Sequence, residues 1–119
     1  MEQRLAILLQ GGVIDQDIHD GMLNVITELE QQWNISIRHS QGNMALTHMA
    51  SALMRSRRGE SIAPIDNEVL EEVQQSEQYP SLVIIHQALL RHFPLTIDPS
   101  EEGYLLANLY SLMLAANDR

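Results

Sequence analysis

The sequence predicts an all-α protein folded as one domain. Two observations carry that prediction. Apolar residues recur at three- and four-residue spacing along most of the chain, the period of a helix with one buried stripe. The breaks between these stretches carry Gly, Pro and Asp at the positions that stop and start helices. Composition supplies a third. Hydrophobic residues make up 45% of the 119, an ordinary globular fraction and enough for a core without covalent staples. No internal repeat or low-complexity linker divides the chain.

Taken in order, Leu5, Leu8 and Leu9 mark a short opening helix that Gly11 and Gly12 end. Asp15 or Asp17 then caps a long helix with the stripe Ile18, Met22, Val25, Ile26, Leu29 and Trp33. Residues 34–42 read as a loop, with a brief extended trace at Ile35 and Ile37. The next helix runs over about 43–57, with Ala45, Leu46, Met49, Ala52 and Leu53 on one face and Gly59 after its end. Asp66 caps a short amphipathic helix carrying Val69, Leu70 and Val73. Tyr79-Pro80 starts another, with Pro80 at its first position. Its stripe is Tyr79, Val83, His86, Leu90 and Phe93, and Pro94 breaks it. Asp98-Pro99-Ser100-Glu101 is the clearest start in the chain: an acidic cap, Pro at the first position and Glu at the third. That last helix continues to about residue 116.

The count is five substantial helices plus the short first one, and the short connections predict antiparallel neighbours. Trp33, Leu29, Met49, Leu53, Val83, Leu90, Leu105 and Leu109 form the predicted core. The last helix is apolar on nearly all sides from Tyr104 to Ala116, and such a helix needs cover from a core or a partner, so a homodimer is expected.

Charge narrows the function classes. Lys plus Arg number 7 and Asp plus Glu 16, for a net charge of -9. The only basic cluster, Arg55, Arg57 and Arg58, contains no aromatic residue, so no direct nucleic-acid partner is expected. An acidic surface favours solubility and basic protein partners. There is no cysteine, which excludes disulfides, thiolate metal sites and thiol nucleophiles. No apolar run reaches the roughly 18 residues of a membrane span. Glu2 and the shortness of the apolar patch behind it argue against a signal peptide. The expected location is cytoplasmic, with no membrane partner.

Histidines are the residues with chemical potential, and there are five. No pair has H-E-x-x-H spacing and no Gly-rich phosphate loop exists, so neither a metal site nor a cofactor is expected. His19 reads as a surface residue, His39 and His92 as solvated residues at helix ends, and His86 as a hydrogen-bonded core histidine. His48 differs. It sits in mid-helix beside Met49 of the buried stripe, and Arg55, seven residues on, shares its face across the small Ser51 and Ala52. A neutral imidazole is a nucleophile near pH 7, and a cation on its face could hold an added phosphate. The plainer alternative is a boundary histidine that only packs. The last helix carries a polar seam of Glu101, Tyr104 or Leu105, Asn108 and Ser111, which is either a solvated edge or a site facing another helix or subunit.

The stretch from Met44 through His48 to Arg55 resembles the first signature of the PTS regulation domain, or PRD: a histidine, an arginine seven residues on, and a basic Gly-containing turn, here Arg57-Arg58-Gly59. Glu68-Val-Leu-Glu-Glu-Val73 and Tyr79-Pro80 are similar to that family's acidic short helix and its following helix start. The run from Asp98 to Asn108 resembles the second signature, with Asn108 where the family has its second histidine. The resemblance covers nearly the whole chain. It implies a compact bundle of about five helices, often a symmetric dimer, in a regulatory module rather than an enzyme.

It also implies that phosphocarrier proteins of the sugar phosphotransferase system phosphorylate the family's histidines and so change dimer packing. Here only His48 could accept phosphate, with Arg55 compensating charge and Glu101 and Asn108 lining the opposing seam. The added charge, about 1.5 to 2 units, is expected to open the association. Relatives usually carry two such domains fused to a nucleic-acid-binding domain, and here a single copy fills the chain. The alternatives are a phosphorylation-independent interaction or dimerisation module and, disfavoured by the absence of any nucleophile or metal motif, a small hydrolase or metal enzyme built on His48, Glu101 and His86.

Overall fold

The computed structural model describes residues 1–117, with side chains through residue 115. It is all-helical, with no strand among the described residues: α1 Glu2–Gln10, α2 Gln16–Thr27, α3 Ser40–Arg57, α4 Asn67–Gln75, α5 Tyr79–Leu90 and α6 Pro99–Asn117. The most extensive helix pairing is α3 with α6. Helix α6 also packs on α4 and α5, while α2 packs on α1 and α3. The core follows this arrangement, with Leu5, Ile18, Met22, Leu29, Leu53, Leu82 and Leu112 almost wholly enclosed.

The expected α1 and its glycine stop are present, and Gly12 takes the left-handed backbone (φ +73°) that favours glycine. Asp15 occupies the N-cap of α2 without a side-chain cap bond. Both Asp15 and Asp17 instead accept hydrogen bonds from Arg57, which ties the start of α2 to the end of α3. A π-helical turn, Glu28–Gln32, continues α2. The wider turn carries Trp33 out of phase with the buried stripe, so Trp33 is half-buried rather than a core residue. Its indole N–H donates to Glu28 at 2.8 Å, and the same carboxylate bonds His92 Nε2 at 2.7 Å. His92 is thus held by a carboxylate, contrary to the solvated role expected of it.

Helix α3 begins at Ser40, earlier than the expected start near Asn43. The reason is His39. Its Nδ1 accepts from the Gly42 N–H at 3.2 Å and its Nε2 bonds the Ser36 carbonyl at 2.9 Å, so the ring caps the helix instead of lying in solvent. A Cβ at Gly42 would stand 2.0 Å from the Ile37 carbonyl oxygen, so only glycine allows this entry. Ile35 and Ile37 are both buried, but in irregular backbone.

Asp66 caps α4 through the Glu68 N–H at 2.8 Å, as expected. Pro80 is the second residue of α5 rather than the first. The buried face of α5 is Leu82, Ile85, His86 and Leu89; Val83 and Leu90 are half-buried and do not belong to the core. This helix is apolar on almost every side, so its period alone does not set which face turns inward. Asp98 caps α6 by accepting from the Ser100 N–H at 3.0 Å, and its own N–H donates to Ser56 Oγ at 2.8 Å. Glu101 does not close a capping box. It turns inward and is fully buried.

Candidate functional site: the seam between α3 and α6

Pro99 fixes the first turn of α6, and the third helical position then faces α3. That position is Glu101. Arg55 Nε donates to Glu101 Oε2 at 2.6 Å and Arg55 Nη2 to Oε1 at 3.1 Å, a bidentate pair across the helix interface. The glutamate side chain is 0% exposed and the arginine side chain 25%. A carboxylate this deep is tolerated only with such a partner.

His48 lies two turns before Arg55 on the same face. Its Nε2 points at the same carboxylate, 3.8 Å from Oε1, beyond hydrogen-bond distance. That nitrogen is buried and has no hydrogen-bond partner. The ring as a whole keeps 29% exposure. Tyr104, one turn after Glu101, lies beside it with ring centroids 5.9 Å apart. Burial pushes the His48 pKa below the ordinary histidine value; Glu101 acts against that shift and Arg55 adds to it. The imidazole is therefore neutral at pH 7 and holds one free lone pair.

His48, Arg55 and Glu101 thus come together, and Tyr104 rather than the buried Leu105 joins them. Asn108 goes elsewhere. With His86, Met49, Leu89 and Leu112 it lines a cavity of about 30 Å³ between α3, α5 and α6, whose walls include neither Arg55 nor Glu101. His86 is 4% exposed, as a core residue, but its Nε2 has no hydrogen-bond partner; Glu102 Oε1 is 3.6 Å away. The expected hydrogen-bonded core histidine is thus buried without its bond. His86 pairs with Glu102 rather than Glu101, so the trio His48, Glu101 and His86 is not a single constellation. His19 is half-buried and its Nδ1 stands 3.0 Å from Asp20 Oδ1. Among the described residues no group of three or more His, Asp and Glu is disposed to hold a metal ion.

One site residue escapes sequence reading. Arg4 of α1 donates from Nη1 to Thr47 Oγ1 at 3.4 Å. Arg4, Ser40, Asn43, Met44, Thr47 and His48 line an open groove of about 580 Å³ between α1 and α3. No local pattern in α1 signals this contact, because Arg4 and Thr47 lie 43 residues apart.

A family model for the PRD domain matches residues 23–112. The chain belongs to the PRD domain family. In this PRD, His48 and Asn108, the positions that resemble the family's two signature sites, line different cavities. An uncharacterized Escherichia coli (strain K12) protein, YhfY, is 56% identical over 118 residues, spanning 99% of this chain and 98% of its own. An uncharacterized Haemophilus influenzae protein is 35% identical over 101 residues, spanning 85% of this chain and 81% of its own. No solved structure matches significantly. No helix among the described residues is long and apolar enough to cross a membrane.

Proposed function

We propose that this PRD is a regulatory module, similar to those of transcriptional antiterminators and activators, that accepts a phosphoryl group on His48 from a phosphocarrier of the sugar phosphotransferase system. It is a substrate of phosphoryl transfer, not a catalyst. The observation that carries this reading is the state of His48: a neutral, part-exposed imidazole whose one closed nitrogen faces a buried, arginine-pinned glutamate.

The chemistry follows from that arrangement. Glu101 favours the tautomer with the proton on Nε2, as a carboxylate behind a histidine does elsewhere. The lone pair is then on Nδ1. Nδ1 attacks the phosphorus of the donor's phosphohistidine, the new N–P bond forms as the donor's breaks, and the donor imidazole leaves neutral with the bonding pair. No proton changes hands. The phosphorylated ring keeps its Nε2–H and gains positive character, which Glu101 balances from 3.8 Å.

Regulation would act through association. Tyr104, Ala107, Tyr110 and Met113 are only partly covered along α6, and Leu114 is exposed. That face suits a homodimer, and Tyr104 sets His48 at its edge. Arg55 is engaged by Glu101 and does not offer its charge to a phosphate, so phosphorylation is expected to loosen the pairing by like-charge repulsion and desolvation.

The test is incubation with labelled phosphoenolpyruvate and the general phosphotransferase proteins. Wild type takes label and His48→Ala does not. Label persisting on His48→Ala would refute the site. No label on wild type would favour the second reading, a phosphorylation-independent interaction module, for which Asn108 at the second signature position speaks.

A further inference from the structure

We infer that the groove between α1 and α3 is the phosphate-binding subsite of this protein, with Arg4 as its cation; the inference rests on the reading of His48 as phosphoacceptor. Arg55, the arginine of the family signature, is held bidentately by Glu101 and cannot turn to a phosphate without stranding a buried carboxylate. All seven basic residues of the chain are arginines. Among the described ones, Arg38 pairs with Glu2 and Glu30, Arg57 with Asp15 and Asp17, and Arg58 with Glu60. Only Arg4 and Arg91 have no carboxylate partner among the described residues.

Of these two, Arg4 stands at His48. Its guanidinium bonds Thr47, the residue before His48, and both line the same groove as the imidazole. The other polar walls are Ser40 and Asn43. No carboxylate lines this groove, although acidic residues outnumber basic ones 16 to 7 in the chain. A free guanidinium, a hydroxyl and an amide around an open volume of about 580 Å³ match a phosphoryl group in charge and hydrogen-bonding capacity. Helix α1 precedes residues 23–112, so the family signature does not assign this role to Arg4.

The subsite can be tested apart from phosphorylation. Inorganic phosphate is titrated into the full chain and followed by NMR at Asn43, Thr47 and His48. Saturable shifts are expected in wild type, retained in Arg4→Lys, weakened in Thr47→Val and lost in Arg4→Ala. Arg91→Ala removes an equal charge elsewhere and should respond like wild type. No response in wild type, an unchanged response in Arg4→Ala, or an equal loss in Arg91→Ala overturns the inference.

In the labelled-phosphoenolpyruvate assay, Arg4→Ala should lower the equilibrium fraction of phosphorylated His48 roughly tenfold, the size of one charge-assisted hydrogen bond. Equal occupancy in wild type and Arg4→Ala also overturns it. Absence of label on wild type overturns the phosphoacceptor reading instead, and the phosphate titration then decides the subsite on its own.

Discussion

His48 and His86 are built from the same parts and end in opposite situations. Each lies on a buried helix face, has an Nε2 without a hydrogen bond, and is near a glutamate of the first turn of α6: Glu101 at 3.8 Å and Glu102 at 3.6 Å. For each, burial lowers the pKa and the neighbouring glutamate opposes that shift. What differs is how each glutamate is held and where each ring opens. Glu101 is sealed and pinned by Arg55, whereas Glu102 is 55% exposed and free to swing into solvent. His48 opens on a groove with a cation, while His86 faces a largely apolar cavity of about 30 Å³. The difference shows that a neutral imidazole near a carboxylate is common ground for core and site. Access and a fixed charge behind the ring separate them.

The largest contrast should be in labelling. Substituting His48 removes all phosphate incorporation, and His86→Leu leaves it intact. Incorporation that falls with His86→Leu in a protein of unchanged helicity would break the distinction. The nitrogen is a sharper form of the same test. With Nε2 closed, the phosphohistidine formed should be the Nδ1 isomer, read by phosphorus–proton NMR correlation. The Nε2 isomer would mean that the ring swings away from Glu101 before it reacts.

Stability should separate the two glutamates next. Arg55→Ala leaves Glu101 buried and uncompensated, a loss of about 3 kcal/mol by urea unfolding, near the low end for buried pairs because the guanidinium keeps a quarter of its exposure. Glu102→Ala should stay within about 0.5 kcal/mol, as exposed substitutions do. Equal losses for the two would show that Glu101 is reached by water in solution. A smaller effect is expected at the cavity. His86→Leu replaces an unsatisfied buried nitrogen by carbon of similar bulk, and such exchanges are neutral or stabilise by up to about 1 kcal/mol. A loss of several kcal/mol would mean that a bound water satisfies the imidazole, which a cavity of this size could admit.

Much of this was legible in the sequence, and the rest for definite reasons was not. The six helices, the Asp66 and Asp98 caps and the α2 stripe through Leu29 follow from local rules, because caps and periodicity act within one turn. The phase of α5 does not, since an almost wholly apolar helix has no polar side to point outward. Trp33 falls outside the predicted core because a π-helical turn changes the period without any residue that announces it. Glu101 carried two compatible local meanings, a capping partner and a seam residue, and only the position of Arg55 on another helix chose between them. The contact of His39 with Gly42 needs the fold of residues 35–37, and that of Arg4 with Thr47 needs α1, packed on α2, to bring Arg4 within reach of α3. The spacing of His48 and Arg55 is legible in the sequence, but which cation lacks a carboxylate partner is not.

The smallest expected effect is on titration, and it bears on both histidines at once. Both pKa values lie below the ordinary 6.5 because burial disfavours the charged ring. In the unfolded chain each histidine returns to about 6.5. Between the lowered folded values and 6.5 the unfolded state therefore binds more protons than the folded one, and stability rises with pH across that window. It is fully present above the unfolded value and is lost as pH falls through the window toward the folded values. Proton NMR titration of the ring resonances should give midpoints below 6.5 for His48 and His86. Glu101→Gln removes the one interaction that raises the His48 value and should lower it further, leaving His86 unchanged. Glu102→Gln should do the converse. A His48 midpoint above 6.5 would mean that Glu101 outweighs burial, and one above about 7 would leave the ring mainly protonated at pH 7 with a small nucleophilic fraction. Phosphoryl transfer would then be expected to accelerate as pH rises past that midpoint, whereas a lowered midpoint gives a rate flat through neutrality.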